Sequence, residues 1–189
     1  MSSARRQRPR KSASPDPFRI ENLHLADSRH LQIRPIAELD AVPIAAAFHL
    51  LNEDEVRKRF LHPIKALGEE HLFKLTHPDP ALAFAVVAAE PLPPGDGLVC
   101  AVARLSRDDE DPTRAEFGIL VTHFVVGLGL GRKLMERLVE WSASHGIREL
   151  WGDVMDDNAP MLRLAQSLGF QRDAIRGAPG LIRITRHFL

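Results

Sequence analysis

The residues with the most chemical content lie in one stretch: Ala115-Glu116-Phe-Gly-Ile-Leu-Val121, then Thr-His-Phe-Val-Val126, then Gly127-Leu128-Gly129-Leu130-Gly131-Arg132-Lys133. An extended apolar run carrying one acid, Glu116, feeds a glycine-spaced turn, and that turn opens an amphipathic helix. Glycines at 127, 129 and 131 remove the side chains that would keep an anion off the backbone. The first amides of the helix have no acceptor within it, and its dipole adds positive potential, so the turn is suited to phosphate. Arg132 and Lys133 stand beside it as charge.

Other glycine turns fit less well. A dinucleotide-binding fingerprint needs its third glycine one position later than Gly131, although Asp153 lies at a suitable distance for its acidic partner. A P-loop needs Gly-Lys-Ser/Thr, which does not follow. A glycine-rich helix start without a ligand remains open on this stretch alone. The nine histidines show no spacing that argues for zinc, so no metal is expected. Cys100, the sole cysteine, lies in the apolar run Leu98-Val-Cys-Ala-Val-Ala and reads as a small core residue.

A second pattern follows downstream. Asp157-Asn158-Ala-Pro160-Met161 begins an amphipathic segment that closes on Leu168-Gly169-Phe170. Together the two stretches resemble the GCN5-related N-acetyltransferase (GNAT) superfamily, whose pattern Q/R-x-x-G-x-G/A holds the acetyl-CoA pyrophosphate ahead of an Asn and a Gly-Phe. The runs from Gly127, from His145 (His-Gly-Ile-Arg-Glu-Leu-Trp-Gly-Asp-Val) and from Asn158 look most like the acetyltransferase domain of bacterial Pat-type protein-lysine acetyltransferases. Leu31-Gln-Ile-Arg-Pro-Ile36 looks like that domain's first strand.

The resemblance implies acetyl-CoA as acetyl donor and an amine as acceptor. It puts Glu116 in the place of a general base, since a lysine ammonium with pKa about 10.4 must lose a proton before it can attack. It places Ile119, Leu120 and Val121 against the pantetheine arm, with one of their amides polarising the thioester carbonyl. Val126, Gly127, Leu128, Gly129, Leu130, Gly131 and Arg132 would hold the pyrophosphate, and Asn158 would position the cofactor or simply cap its helix. Two departures are visible. Val126 stands where Gln or Arg is usual, and the position of the superfamily's thiolate-protonating Tyr is Ala165, in a chain without any Tyr. Pat-type domains also carry a small residue there.

The elements that must position these residues can be read from pattern. Alternation predicts a strand over 30–35, and near-helical spacing predicts a helix over 38–51, with Pro43 in its first turn or kinking it. Asn52 is a candidate N-cap for a short helix to Phe60, and another short helix is expected over 67–77. Strands are expected over 81–89 and 98–105, joined through the Pro/Gly-rich 91–97, then over 116–121, 147–155 and 181–188. The helix after the glycine turn should run over about 131–145 with an apolar stripe of Leu134, Met135, Leu138 and Trp141 or Ser142, ended by Gly146. Pro160 suits the first turn of the last helix. Strands mixed with helices and no internal repeat give an α/β fold, a GNAT-type mixed, mostly antiparallel sheet flanked by helices.

Composition sets the remaining bounds. At 189 residues, 44% of them hydrophobic, the chain can bury one core without disulfides. No apolar run approaches a membrane span, so a cytoplasmic protein without membrane contact is expected. Residues 1–17 hold five Arg/Lys against one Asp while the whole chain is neutral. This reads as a short basic disordered tail (1–21) on a mildly acidic domain (22–189), which argues little for nucleic acid. The expected function is acetylation of protein lysine, with Asp153, Asp156 and Asp157 as candidate attractants for it. The alternatives are a small-amine (polyamine or aminoglycoside) acetyltransferase and a non-catalytic acyl-CoA-binding regulatory module.

Overall fold

The computed structural model describes residues 16–189. In chain order the elements are β1 (Glu21–His24), β2 (His30–Pro35), α1 (Ala41–Phe48), α2 (Glu53–Phe60), α3 (Glu69–Thr76), β3 (Ala83–Ala89), β4 (Val99–Arg107), β5 (Arg114–Val121), α4 (Leu130–Ser144), β6 (Glu149–Met155), α5 (Ala159–Ser167), β7 (Gln171–Ala174) and β8 (Leu181–His187). The strands form one sheet in the order β1-β2-β3-β4-β5-β6-β8-β7. Every pairing is antiparallel except β5 with β6, which needs a crossover, and α4 supplies it. The mixed α/β sheet expected from the sequence is thus the fold observed.

The two faces of the sheet are covered differently. On one, α4 lays Leu134, Met135, Leu138 and Trp141 against β3, β4 and β5, all four fully buried. On the other, α1 and α3 close a smaller cluster of Ile44, Leu75, Val87, Ala89 and Val99. Strand β3 is buried on both faces along its whole length, which is why Ala-Phe-Ala-Val-Val-Ala-Ala shows no polar alternation.

Most element boundaries follow the sequence reading, with three corrections. The segment expected to be one helix over 38–51 is a single 3₁₀ turn at Glu38–Asp40 followed by α1, which ends at Phe48. Buried Asp40 is held there by Arg34, through bonds of 2.7 and 2.8 Å. Strands β1 and β7 were not anticipated. Of the residues 1–21 expected as a tail, 16–21 lie on the domain. Phe18 meets Phe84 edge to face at 5.1 Å, and the buried Arg137 guanidinium donates to the carbonyls of Pro17 and Arg19 at 2.9 and 2.7 Å. The rest of that expectation, residues 1–15, lies outside the described residues.

Candidate active site

The site begins where two strands part. β5 and β6 pair only at Arg114 with Glu149, Ala115 with Leu150 and Glu116 with Trp151. Beyond Glu116, β5 stays with β4 as far as Val121 while β6 follows β8 to Met155, and the facing edges open into a gap. Thr122 donates its amide to the Cys100 carbonyl across β4 at 3.0 Å. Strand amides alternate in direction, so those of Leu120 and Gly118 also face β4, and those of Ile119 and Val121 face the gap. Two backbone donors are left for an extended ligand lying along the edge.

At the far end of the gap is the glycine turn. Gly127 and Gly129 have φ of +85° and +83°, and a Cβ at either would meet nothing within 4 Å. Their lack of a side chain serves backbone conformation and open access rather than packing. Gly129 caps α4, and the first α-helical bond runs from Lys133 N–H to Gly129 O at 3.3 Å. The amides of Leu130, Gly131 and Arg132 therefore have no backbone partner among the described residues. They open into a cleft of about 770 Å³ lined also by Glu116, Val121, Val126 and Asn158. Three unpaired amides at the positive end of a 15-residue helix fit a diphosphate.

Not every candidate contributes a side chain. Leu128 packs against the core and Leu130 is buried in it, so they offer only backbone, whereas Val126 is exposed. Arg132 bonds Ser167 Oγ at 2.7 Å and still lines the cleft. Lys133, expected beside the phosphate, is instead bound to Glu21 at 2.5 Å and is not part of the lining. Asn158 caps α5, its Oδ1 accepting from Met161 N–H at 3.3 Å, so the capping role is the one its contacts display.

Glu116 lies at the closed end of the gap, open to the cleft. Burial by the surrounding protein, and then the negative charge of Asp153, push its carboxyl above the ordinary carboxylate range, while Arg59, Arg183 and Arg104 pull it back. A carboxylate raised in this way is a better proton acceptor near neutrality. Arg183 forms a fork with Asp153 at 2.8 Å on both sides and lies 4.0 Å above the Trp151 ring.

The three aspartates expected to attract a cationic acceptor are not free as a set. Asp153 is matched by Arg183, and Asp157 by Arg57 at 2.7 Å. His123 is engaged by Glu55, which accepts from its amide at 2.5 Å and faces its Nδ1 at 3.1 Å. Glu55 also belongs to the capping box of α2 with Asn52, so one carboxylate ties α2 to the loop before the glycine turn. Cys100 is buried, and desolvation pushes its thiol up to about 11, which makes it inert. The sequence reading missed Arg59, Arg104, Trp151 and Arg183. They come from α2, β4, β6 and β8, and no local spacing joins them.

A sequence model of the Acetyltransferase (GNAT) family matches residues 44–170, and the chain belongs to that family. Its members use acetyl-CoA as the acetyl donor. Over 48 residues the chain is 42% identical to the [ribosomal protein bS18]-alanine N-acetyltransferase of Escherichia coli, a match covering 25% of this chain and 32% of the relative. The chain thus spans about a third of the length of that curated relative. In fold it is similar to the GNAT domain of S. lividans PAT, with TM-score 0.78 and 20% identity over 89% of this chain and 97% of that one. It is also similar to yncA of Salmonella typhimurium, solved with its cofactor acetyl-CoA, with TM-score 0.62 and 20% identity over 83% of this chain and 93% of the other. No helix among the described residues is long and apolar enough to cross a membrane.

Proposed function

We propose that this chain is an acetyl-CoA-dependent N-acetyltransferase that acts on protein lysine side chains by direct attack, with Glu116 as general base. One observation carries the reading: Glu116, with its raised carboxyl pKa, sits at the point where β5 and β6 part, in the same cleft as the glycine turn. In this reading Glu116 takes the proton from the lysine ammonium, and the freed amine attacks the thioester carbonyl. The C–N bond forms, the C–S bond breaks, and the nitrogen gives up its second proton to water; coenzyme A leaves as a thiolate that takes a proton from water, since Ala165 is buried and offers none. The inward amides of Ile119 and Val121 supply hydrogen bonds to the arm and to the developing oxyanion. The amides of Leu130, Gly131 and Arg132 hold the diphosphate.

The lysine acceptor is supported by the runs from Gly127, His145 and Asn158 that resemble Pat-type domains. The 48-residue match to an alanine N-acetyltransferase favours a second reading, the α-amine of a protein N-terminus, with the same catalytic parts. We place the activity in residues 22–189 and in the cytoplasm. The test is acetyl-CoA consumption by the purified protein with a lysine peptide, an N-terminal alanine peptide, spermidine and an aminoglycoside. Faster acetylation of a free small amine than of either peptide overturns the protein-acceptor reading, and no consumption with any amine overturns the enzymatic one.

A further inference from the structure

Most arginines around the sheet have partners: Arg34 has Asp40, Arg183 has Asp153, Arg57 has Asp157, and Arg137 has carbonyls and Glu21. Two beside the site do not. Among the described residues Arg59 forms no hydrogen bond or ion pair, and Arg104 has a buried Nε without any partner. Both sit at one place. The Arg59 guanidinium lies flat on Gly118, where a Cβ would stand 2.6 Å from its Cζ, and Arg104 on β4 is the cross-strand partner of Gly118. Gly118 is two residues along β5 from Glu116, so it shares its face at a spacing of about 7 Å.

We propose that Arg59 and Arg104 form a carboxylate-binding subsite beside Glu116, so that the preferred acceptor amine carries a carboxylate close by. For a protein lysine this means an Asp or Glu neighbouring the acetylated residue.

The physical case rests on satisfaction and space. Guanidinium groups drawn from water cost free energy unless donors find acceptors, and their planar fork matches a carboxylate bidentately. Glu116 is near enough to feel both cations but bonds neither; Arg59 lines the cleft, and Arg104 stands behind it across the strand from Gly118. A bare glycine at 118 lets the Arg59 plane lie against the strand and present its edge. Phe60, with its ring centroid 5.0 Å from Arg59 Cζ, supports the guanidinium from its own helix. With Asp153 and Asp157 matched by arginines, this basic floor favours an anionic neighbour of the acceptor over an acidic attractant.

The inference rests on the acetyl-transfer reading, and the experiment separates the two. Steady-state rates are measured on peptides identical except for Glu, Gln or Lys beside the acceptor lysine, and on free lysine and glutamate, for wild type, Arg59→Gln, Arg59→Lys and Arg104→Gln. Wild type should prefer the Glu peptide over the Gln peptide by about tenfold or more in kcat/KM, carried in KM, and Arg59→Gln should erase that preference. Arg59→Lys should restore part of it, and Arg104→Gln gives the same reading should Arg59→Gln fail to fold. A free amino acid outpacing the peptides in wild type, with the advantage lost in Arg59→Gln, supports the subsite with a small acceptor. Peptides acetylated without regard to the neighbouring charge, or a loss of kcat equal for all acceptors in Arg59→Gln, overturns the subsite and leaves acetyl transfer standing. A protein that acetylates none of them fails the acetyl-transfer reading instead.

Discussion

The ring of Phe117 occupies the space that a side chain on Gly152 would need: a Cβ at 152 would stand 2.9 Å from Phe117 Cε1 and 3.1 Å from its carbonyl oxygen. Phe117 is the first residue of β5 beyond the last pairing with β6, and Gly152 follows Trp151 on the other side. The parting of the strands thus begins with an aromatic ring laid on bare backbone. That ring is fixed from beyond by Phe170, edge to face at 5.6 Å, so the Gly-Phe that closes α5 also props the gap.

Gly152→Val should consequently damage both stability and donor binding. Relief requires the ring or the β5 backbone to move, and overpacking of this kind costs about 1–3 kcal/mol. Chemical denaturation and calorimetry with coenzyme A measure the two effects. A variant as stable as wild type with unchanged affinity would show that the gap does not depend on this contact.

Glu116→Gln should lower turnover by about 10²-fold or more while leaving acetyl-CoA affinity within a few-fold. It should not destabilise the fold. An acid whose pKa is raised on folding contributes stability that is complete below the unfolded value and is lost as pH rises through the folded one. The ionised carboxylate is therefore a cost to the fold, and the neutral isostere should hold or raise Tm. Near-normal turnover at pH 7 would remove Glu116 from the role. His123, which lines the same cleft, is already engaged by Glu55.

How far the sequence anticipates all this depends on whether a feature is local. The glycine turn, α4 with its buried stripe and the Asn52 cap are written in consecutive residues, and the structure has them where spacing puts them. Strand β7 has four exposed residues and pairs only with β8, while β1 buries only Leu23 of its four, so neither carries a hydrophobic period to read. Arg59, Arg104 and Arg183 meet around Glu116 from three separate elements, and only the folded sheet brings them together. Lys133 is the converse case. Adjacency in sequence suggested phosphate, but the helix turns it toward Glu21 on β1.

Gly129→Glu tests the phosphate turn. A Cβ there meets nothing within 4 Å, so bulk alone should be tolerated, at the expense of a side chain held at φ +83°. That strain is worth about 1–3 kcal/mol, and the added carboxylate repels a diphosphate at the helix N-terminus. Circular dichroism should report a folded protein and calorimetry a collapse of acetyl-CoA binding. Unchanged affinity in the folded variant would defeat the diphosphate site and the functional reading built on it.

The charges around Glu116 predict opposite shifts in the pH dependence of kcat/KM. Asp153 raises the Glu116 carboxyl pKa, and its partner Arg183 lowers it. Asp153→Asn removes the first and releases the second from its ion pair; both changes favour the carboxylate, so the acid limb of the profile should move to lower pH. Arg59→Gln removes a cation that favours the carboxylate and should move the same limb to higher pH. Profiles are to be recorded with a neutral-flanked lysine peptide, so that acceptor recognition by Arg59 does not enter the comparison. Shifts in the same direction, or none in either variant, would mean that the limb reports a group other than Glu116.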